Sequence, residues 1–212
     1  MLFEAAIDAG VSKIFHVSVS NPSADSPLPY FSGKWRVEEA LKSYGIPCAI
    51  IRPTLVFGKD DLLLNNIAWA LRRFPLFPVY GNGNYQVQPI FAEDLAVQIV
   101  EAATSTESFT ADAAGPDTMS FKELLHLMAE NMGVHGRLLP TPPTVGLALT
   151  SVIGLLKRDI VLTRDEVDGL MSDLLVSDAP PMGTTRFTDW LNENADSLGR
   201  RYESELKRNF RL

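Results

Sequence analysis

The chain has 212 residues, 46% of them hydrophobic, and 19 Lys and Arg against 26 Asp and Glu give a formal charge of −7. That length can bury a proper core. The acidic balance, with a pI near 5.0 and a mean hydropathy of +0.04, excludes a disordered tail and argues against a nucleic-acid-binding face, which needs clustered positive charge. The single cysteine, Cys48, excludes an intramolecular disulfide and a cysteine-based metal site, and it suits a reducing, cytoplasmic location.

Met1 to Gly10 carries acid early and no basic segment, so it reads as the end of an amphipathic helix closed by Gly10 rather than as a signal peptide. Ile14 to Val19 is β-branched and aromatic and predicts a buried strand. A loop rich in Asn, Pro, Ser and Asp follows from Ser20 to Pro29. A helix is then expected from about Tyr30 to Tyr44, stopped by Gly45, and a second apolar strand from Pro47 to Ile51. Leu62 to Phe74 carries a helical stripe of Leu63, Ile67, Ala70 and Leu71. Gly81 to Asn84 predicts a tight turn before an alternating stretch from Tyr85 to Ile90. Ala92 to about Ala103 predicts a helix and Phe109 to Ala114 a third parallel strand.

Ser120-Phe121-Lys122-Glu123 and Thr163-Arg164-Asp165-Glu166 both have capping-box spacing, the first opening a helix to Met132. After Gly136 the strand–helix rhythm is expected to stop. Pro140, Pro142 and Pro143 punctuate the chain there, and Arg186 to Phe210 reads as two short amphipathic helices. The weakly polar run from Val145 to Leu156 is too short to span a bilayer, which takes roughly 20 residues. It reads as a buried or subunit-contact helix, or else as an interfacial anchor ending at Lys157-Arg158. Alternating strands and helices imply an α/β unit with a parallel sheet, and the tail an appended, mostly helical cap.

The sharpest chemistry lies in Ser18, Tyr30 and Lys34. The phenol and ammonium fall at i and i+4 on one helix face. A nearby cation stabilises a phenolate and lowers its pKa, so such a tyrosine can relay a proton to a carbonyl or alcohol. Ser18 leaves the C-terminal end of a parallel strand, where open α/β sheets bind ligands. A Tyr-x-x-x-Lys pair alone also arises by chance, and Ser20 competes with Ser18 for the serine role. Other polar residues read as structural: His16 as a core or edge histidine, Asp94 as a helix cap, Cys48 as a small core residue. His126 and His135 have no ligand-spaced partners, so no metal is expected.

Four stretches together, His16-Val17-Ser18, Tyr30 to Lys34, Arg52 to Gly58 and Gln88 to Ala96, resemble the short-chain dehydrogenase/reductase superfamily. The likeness is to its extended and atypical NAD(P)-binding epimerase/dehydratase-like branch, which includes the 39-kDa subunits of respiratory complex I. The resemblance implies a partial Rossmann-like sheet, the C-terminal half of an NAD(P)-binding domain, over residues 1–136. It implies a mostly helical substrate or cap region over 137–212. It gives Tyr30 the acid/base role and Lys34 the nicotinamide ribose, with Ser18 orienting a substrate oxygen and Pro53, Thr54, Leu55 and Val56 lining the nicotinamide side.

The implied function is an NAD(P)-dependent oxidoreductase or epimerase acting on a small carbonyl or alcohol. The alternative is a non-catalytic NAD(P)-binding structural subunit or redox-sensing module, in an oligomer or as an accessory subunit. The sequence lacks the Gly-rich strand-to-helix turn that holds a pyrophosphate. Relative to the family, an N-terminal truncation of three βα units, about 100 residues, is therefore expected.

Overall fold

The computed structural model describes residues 2–209 except Thr106 and Ile160. Its centre is a parallel sheet of three strands, β1 (Ile14–Val17), β2 (Cys48–Pro53) and a third (Phe109–Ala113), in the order given. Val17 pairs with Ile51, and Pro53 with Ala113. The middle strand is apolar almost throughout because both of its faces are covered. Cys48 and Ile50 pack against Leu41 of helix α2 (Pro29–Ser43) on one side. Ala49 and Ile51 pack against Leu95 and Ala102 of the helix Ala92–Thr104 on the other. Helix α1 (Leu2–Asp8) precedes β1.

The remaining strands form pairs. β3 (Leu55–Phe57) lies parallel to Pro89–Phe91, β4 (Leu76–Tyr80) parallel to Arg137–Thr141, and β5 (Gln86–Val87) antiparallel to Met119–Ser120. In chain order Pro89–Phe91 is therefore β6, followed by α4 (Ala92–Thr104), β7 (Phe109–Ala113), β8 (Met119–Ser120) and β9 (Arg137–Thr141). Helices α3 (Leu63–Arg73), α5 (Phe121–Asn131), α6 (Pro143–Lys157), α7 (Arg164–Met171), α8 (Phe187–Asn194) and α9 (Glu205–Asn209) complete the described residues. The largest core joins Phe57, Leu64, Leu124 and Met128 to Phe187 and Leu191, so the C-terminal helices are built into the same apolar interior as the strands.

Both capping boxes form. Ser120 Oγ accepts from the Glu123 amide and Glu123 bonds back to the Ser120 amide, and Thr163 and Glu166 do the same for α7. The helices expected near Tyr30, Leu62 and Ala92 lie within a residue or two of those bounds.

Three features differ from the sequence reading. The strand expected as buried over Ile14 to Val19 ends at Val17 and leaves Phe15 and Val17 exposed, because β1 has a neighbour on one side only. The stretch after Gly136, where the strand–helix rhythm was expected to stop, holds a strand, β9, paired with β4, although Pro78 and Pro140 are disfavoured in a ladder interior. Here the two strands form a sheet of only two, where a missing N–H costs little. The run from Val145 to Leu156 is not buried: it forms the surface helix α6, in which only Gly146 and Gly154 are fully covered. Of the tail expected to end at Phe210, that last residue lies outside the described residues.

Candidate functional site

β1 and β2 run parallel and end at Val17 and Pro53, so the segments that follow them meet α2 at the carboxyl ends of the strands, where sheets of this kind place ligands. Pro29 opens α2 with φ already set for a helix, which puts Tyr30 in the first turn and Lys34 one turn further along the same face. Lys34 Nζ lies 5.7 Å from the Tyr30 ring centroid and donates to the Val17 carbonyl at 3.1 Å, so part of its hydrogen-bonding capacity is spent on the end of β1. Burial holds the Lys34 pKa below its ordinary value, against the opposing charge of Glu38.

Tyr30, 55% exposed, does not show the lowered pKa expected from the lysine beside it. Partial burial first, and then the negative charge of Glu166, push its phenol above the usual value. The physical reason is placement: Lys34 lies over the ring and is turned to the Val17 carbonyl, while α7 brings an acid near the phenol.

Ser18 is buried, and its hydroxyl influences the carboxylate of Glu38, which it helps keep ionised, without forming a well-shaped hydrogen bond to any group. The competing Ser20 donates its hydroxyl to the Leu174 carbonyl at 2.5 Å. Thr54 is similarly committed, its hydroxyl donating to the Gln88 carbonyl at 2.5 Å and its amide to the Ala113 carbonyl at 3.1 Å. Leu55 and Val56 belong to β3 and sit opposite Pro89 and Ile90.

Beside these residues lies a cavity of about 680 Å³. Its walls are mostly apolar, from Phe31, Ile67, Trp69, Phe77, Tyr80 and Leu170, with the acids Asp61, Asp165, Glu166 and Glu205 also present. Burial pushes the Asp61 carboxyl up to about 6, even though backbone amides of the first turn of α3 hydrogen-bond to it. Burial also raises Glu205. Of the residues singled out from sequence, Tyr30, Thr54 and Leu55 line this cavity, whereas Ser18, Lys34, Pro53 and Val56 do not. The structure thus keeps Tyr30 and Lys34 together and leaves the serine outside.

The sequence reading missed Asp61, Trp69, Tyr80 and Tyr202 as cavity residues. Glu166 alone had a signal, its capping-box position. Asp94 was expected to cap α4. Instead it accepts from the amides of Thr184 and Thr185, 2.7 Å each, and pins that distant loop to the start of the helix. His16 is shifted down by burial and by Lys34.

A dinucleotide finds only part of a site among these residues. Tyr30 and Lys34 share one face of α2, with the Lys34 ammonium bonded to the Val17 carbonyl at the end of β1. Thr54, however, has its amide and hydroxyl already bonded. Among the described residues no strand-to-helix turn carries the glycine pattern that grips a pyrophosphate. The residues present do not make a dinucleotide site by themselves.

No protein-family model matches the chain. Among curated proteins it is 29% identical over 184 residues to the mouse mitochondrial NADH dehydrogenase [ubiquinone] 1 alpha subcomplex subunit 9, covering 84% of this chain and 48% of that protein. It is 25% identical over 180 residues to the Arabidopsis thaliana protein of the same name, covering 80% of this chain and 45% of that one. The chain spans about half the length of these relatives.

Among solved structures it superposes on an NADPH-dependent quinone oxidoreductase of Escherichia coli complexed with NADPH, with a TM-score of 0.75 and 18% identity. That match covers 91% of this chain and 69% of the other. A triphenylmethane reductase of Citrobacter gives a TM-score of 0.71 at 17% identity, covering 93% and 69%.

The cytoplasmic location expected from composition is overturned by the sequence relatives, whose names place them in mitochondria. In sequence the chain is similar to the alpha subcomplex subunit 9 proteins of mitochondrial NADH dehydrogenase, and its mixed α/β fold with parallel sheets is the fold of solved NADPH-dependent reductases and nucleotide-sugar epimerases.

Proposed function

We propose that this chain is a binding module and not a self-sufficient oxidoreductase: it presents the ligand-side part of a reductase/epimerase fold and serves as an accessory component of a larger assembly. The observation that carries this reading is the split of the expected catalytic set. Tyr30 faces the cavity with its phenol pushed up, and Ser18 sits outside that cavity, under the influence of Glu38. A proton relay needs its groups on one side of one substrate atom, with pKa values matched to the task. The names of the sequence relatives, subunits of NADH dehydrogenase, support an accessory role.

The ligand that suits the cavity is an uncharged, largely apolar molecule with rings or chains to match Phe31, Trp69 and Phe77, because Asp61, Asp165, Glu166 and Glu205 disfavour an anion. The neutral fluorophore N-phenyl-1-naphthylamine tests this directly. It is expected to bind with enhanced emission, to bind the Ala70→Trp variant, whose new ring fills the cavity, at least about tenfold more weakly, and to outcompete an anionic naphthalene sulfonate. Equal binding to wild type and Ala70→Trp, at unchanged melting temperature, contradicts the assignment of the cavity.

A second reading keeps catalysis. It is favoured by the shared face of Tyr30 and Lys34 at the carboxyl end of β1. In it the Tyr30 hydroxyl, on the cavity wall, would donate a hydrogen bond to a carbonyl or alcohol oxygen of the ligand, and Lys34 would hold the tyrosine ring in place.

A further inference from the structure

Helix α6 stands apart from the other helices of the fold. From Pro143 to Leu156 it carries no charged residue, yet its outward face is apolar: Val145, Leu149, Val152 and Leu156 follow at helical spacing, with Leu155 beside them. Leu155 is 80% and Leu156 79% exposed. On its inward side Gly146 lies close against the Tyr80 ring and Thr150 and Ile153 face the cavity, while Gly154 lets the chain fold back at Asp159 just past the helix end. Ordinary surface helices turn the apolar stripe to the core; this one leaves a contiguous apolar patch in the open, the signature of an interaction surface.

The second observation is charge. In a chain of net charge −7, the C-terminal end of α6 is where cations gather. Lys157 shares a cleft with Arg201, Lys207 and Arg208, in which Glu203 is the one acid. Arg158 follows directly, exposed, in the left-handed conformation at φ 54°. Lys157 is fixed by the rings of Trp69 and Tyr202, 4.7 and 5.4 Å from its Nζ, and Arg208 donates to the Asp60 carbonyl.

The geometry points to an interfacial membrane-docking site: α6 lies in the plane of an anionic phospholipid surface, with its outward aliphatic face among the acyl chains and the cluster of Lys157, Arg158, Arg201, Lys207 and Arg208 on the headgroups. Among the described residues no helix is long and apolar enough to cross a membrane, so the helix rests on the surface. An apolar stripe flanked by basic residues is what anionic bilayers bind. The stripe is purely aliphatic, with none of the Trp, Tyr or Arg that anchor protein–protein contacts, which favours lipid over a protein partner.

Sedimentation with vesicles tests the site. The whole chain is expected to sediment with vesicles of equal parts phosphatidylglycerol and phosphatidylcholine, weakly with phosphatidylcholine alone, and less in high salt. Leu155→Glu with Leu156→Glu, both on the surface, is expected to lower the partition at least about tenfold at unchanged melting temperature. Arg158→Asn, a residue that tolerates the left-handed conformation, with Lys207→Gln is expected to lower it about fivefold per charge removed. No sedimentation with the anionic vesicles overturns the proposal. So does binding that the two glutamates leave unchanged. Self-association through α6 without vesicle binding also overturns it, by giving the face to a second copy.

Discussion

The guanidinium of Arg52 grips the carboxylate of Glu38 with two hydrogen bonds, Nε to Oε1 at 3.0 Å and Nη2 to Oε2 at 2.6 Å, and the Glu38 side chain is completely buried. This pair fastens the helix that carries Tyr30 and Lys34 to the strand that leads into Pro53 and Thr54, alongside the packing of Leu41 on Cys48 and Ile50. Replacing Arg52 with Ala strands a buried charge and is expected to cost about 3–5 kcal/mol in urea unfolding at pH 7. Replacing both residues with Met, which leaves no unpaired charge, is expected to cost clearly less. An equal loss in the two variants contradicts the account.

The same pair sets a pH dependence. Burial pushes the Glu38 pKa up, but the Arg52 hydrogen bond, the Ser18 hydroxyl and the charges of Arg52 and Lys42 together hold it below the ordinary 4.5. A depressed carboxylate stabilises the fold above its unfolded pKa, and that stability is lost as pH falls through the folded value. Urea midpoints measured from pH 3 to 7 are therefore expected to fall only below about pH 4.5 for this contribution. In Arg52→Ala the loss begins at a higher pH, because the buried carboxylate has lost its main partner.

Asp61 has the opposite sign. Its folded pKa, about 6, lies above the ordinary 3.8, so between those values the folded chain binds more protons than the unfolded one. Its contribution is fully present below the unfolded value and is lost as pH rises through about 6. Asp61→Asn keeps an acceptor for the Leu64 amide, which now bonds at 2.6 Å, and removes the charge. The variant is expected to flatten the stability–pH curve between pH 4 and 6; a curve as steep as that of wild type argues against a strained Asp61.

The Tyr30 phenol is expected to titrate above 10 by ultraviolet absorbance, read as the difference between wild type and Tyr30→Phe, and Glu166→Gln is expected to bring it down. The sign follows from the causes: burial and a neighbouring anion both oppose the phenolate. A Tyr30 value well below 10 restores the lysine-activated tyrosine and weakens the binding-module reading.

Gly115 sits where a side chain cannot go. A Cβ there falls 1.7 Å from the Pro89 carbonyl oxygen and 2.8 Å from its carbon, both backbone atoms. Gly115→Ala must push β6 away from the segment that follows β7, and is expected to cost about 3 kcal/mol in chemical denaturation. A loss within error of zero contradicts the close approach.

Much of this was legible before the structure. β2 announces itself because a strand covered on both faces is continuously apolar, and Gly45 ends α2 before it; β1 reads as a strand for the same reason, but with a single neighbouring strand it leaves Phe15 and Val17 exposed. Ser120 and Thr163 mark their helices because a capping box is a local hydrogen-bond reciprocity. The rest was hidden because it is settled by distant partners. β4 and β9 are paired across more than fifty residues and carry prolines that local reasoning reads as breaks. The Tyr30–Lys34 spacing shows a shared face, but which way the ammonium turns depends on the Val17 carbonyl, and the phenol's environment on Glu166 of α7. Ser18 and Ser20 alternate correctly for one face, and only the packing of Glu38 and Leu174 decides what their hydroxyls meet.

The central claim is that the chain binds in the Tyr30 cavity without turning a substrate over. The most direct measurement follows consumption of NADH and NADPH by this chain with a panel of short aldehydes, ketones and a water-soluble quinone, in wild type and Tyr30→Phe side by side. The account predicts no consumption above background and no difference between the two proteins. Consumption that falls by about 100-fold or more in Tyr30→Phe, the size of effect a lost general acid produces, contradicts it.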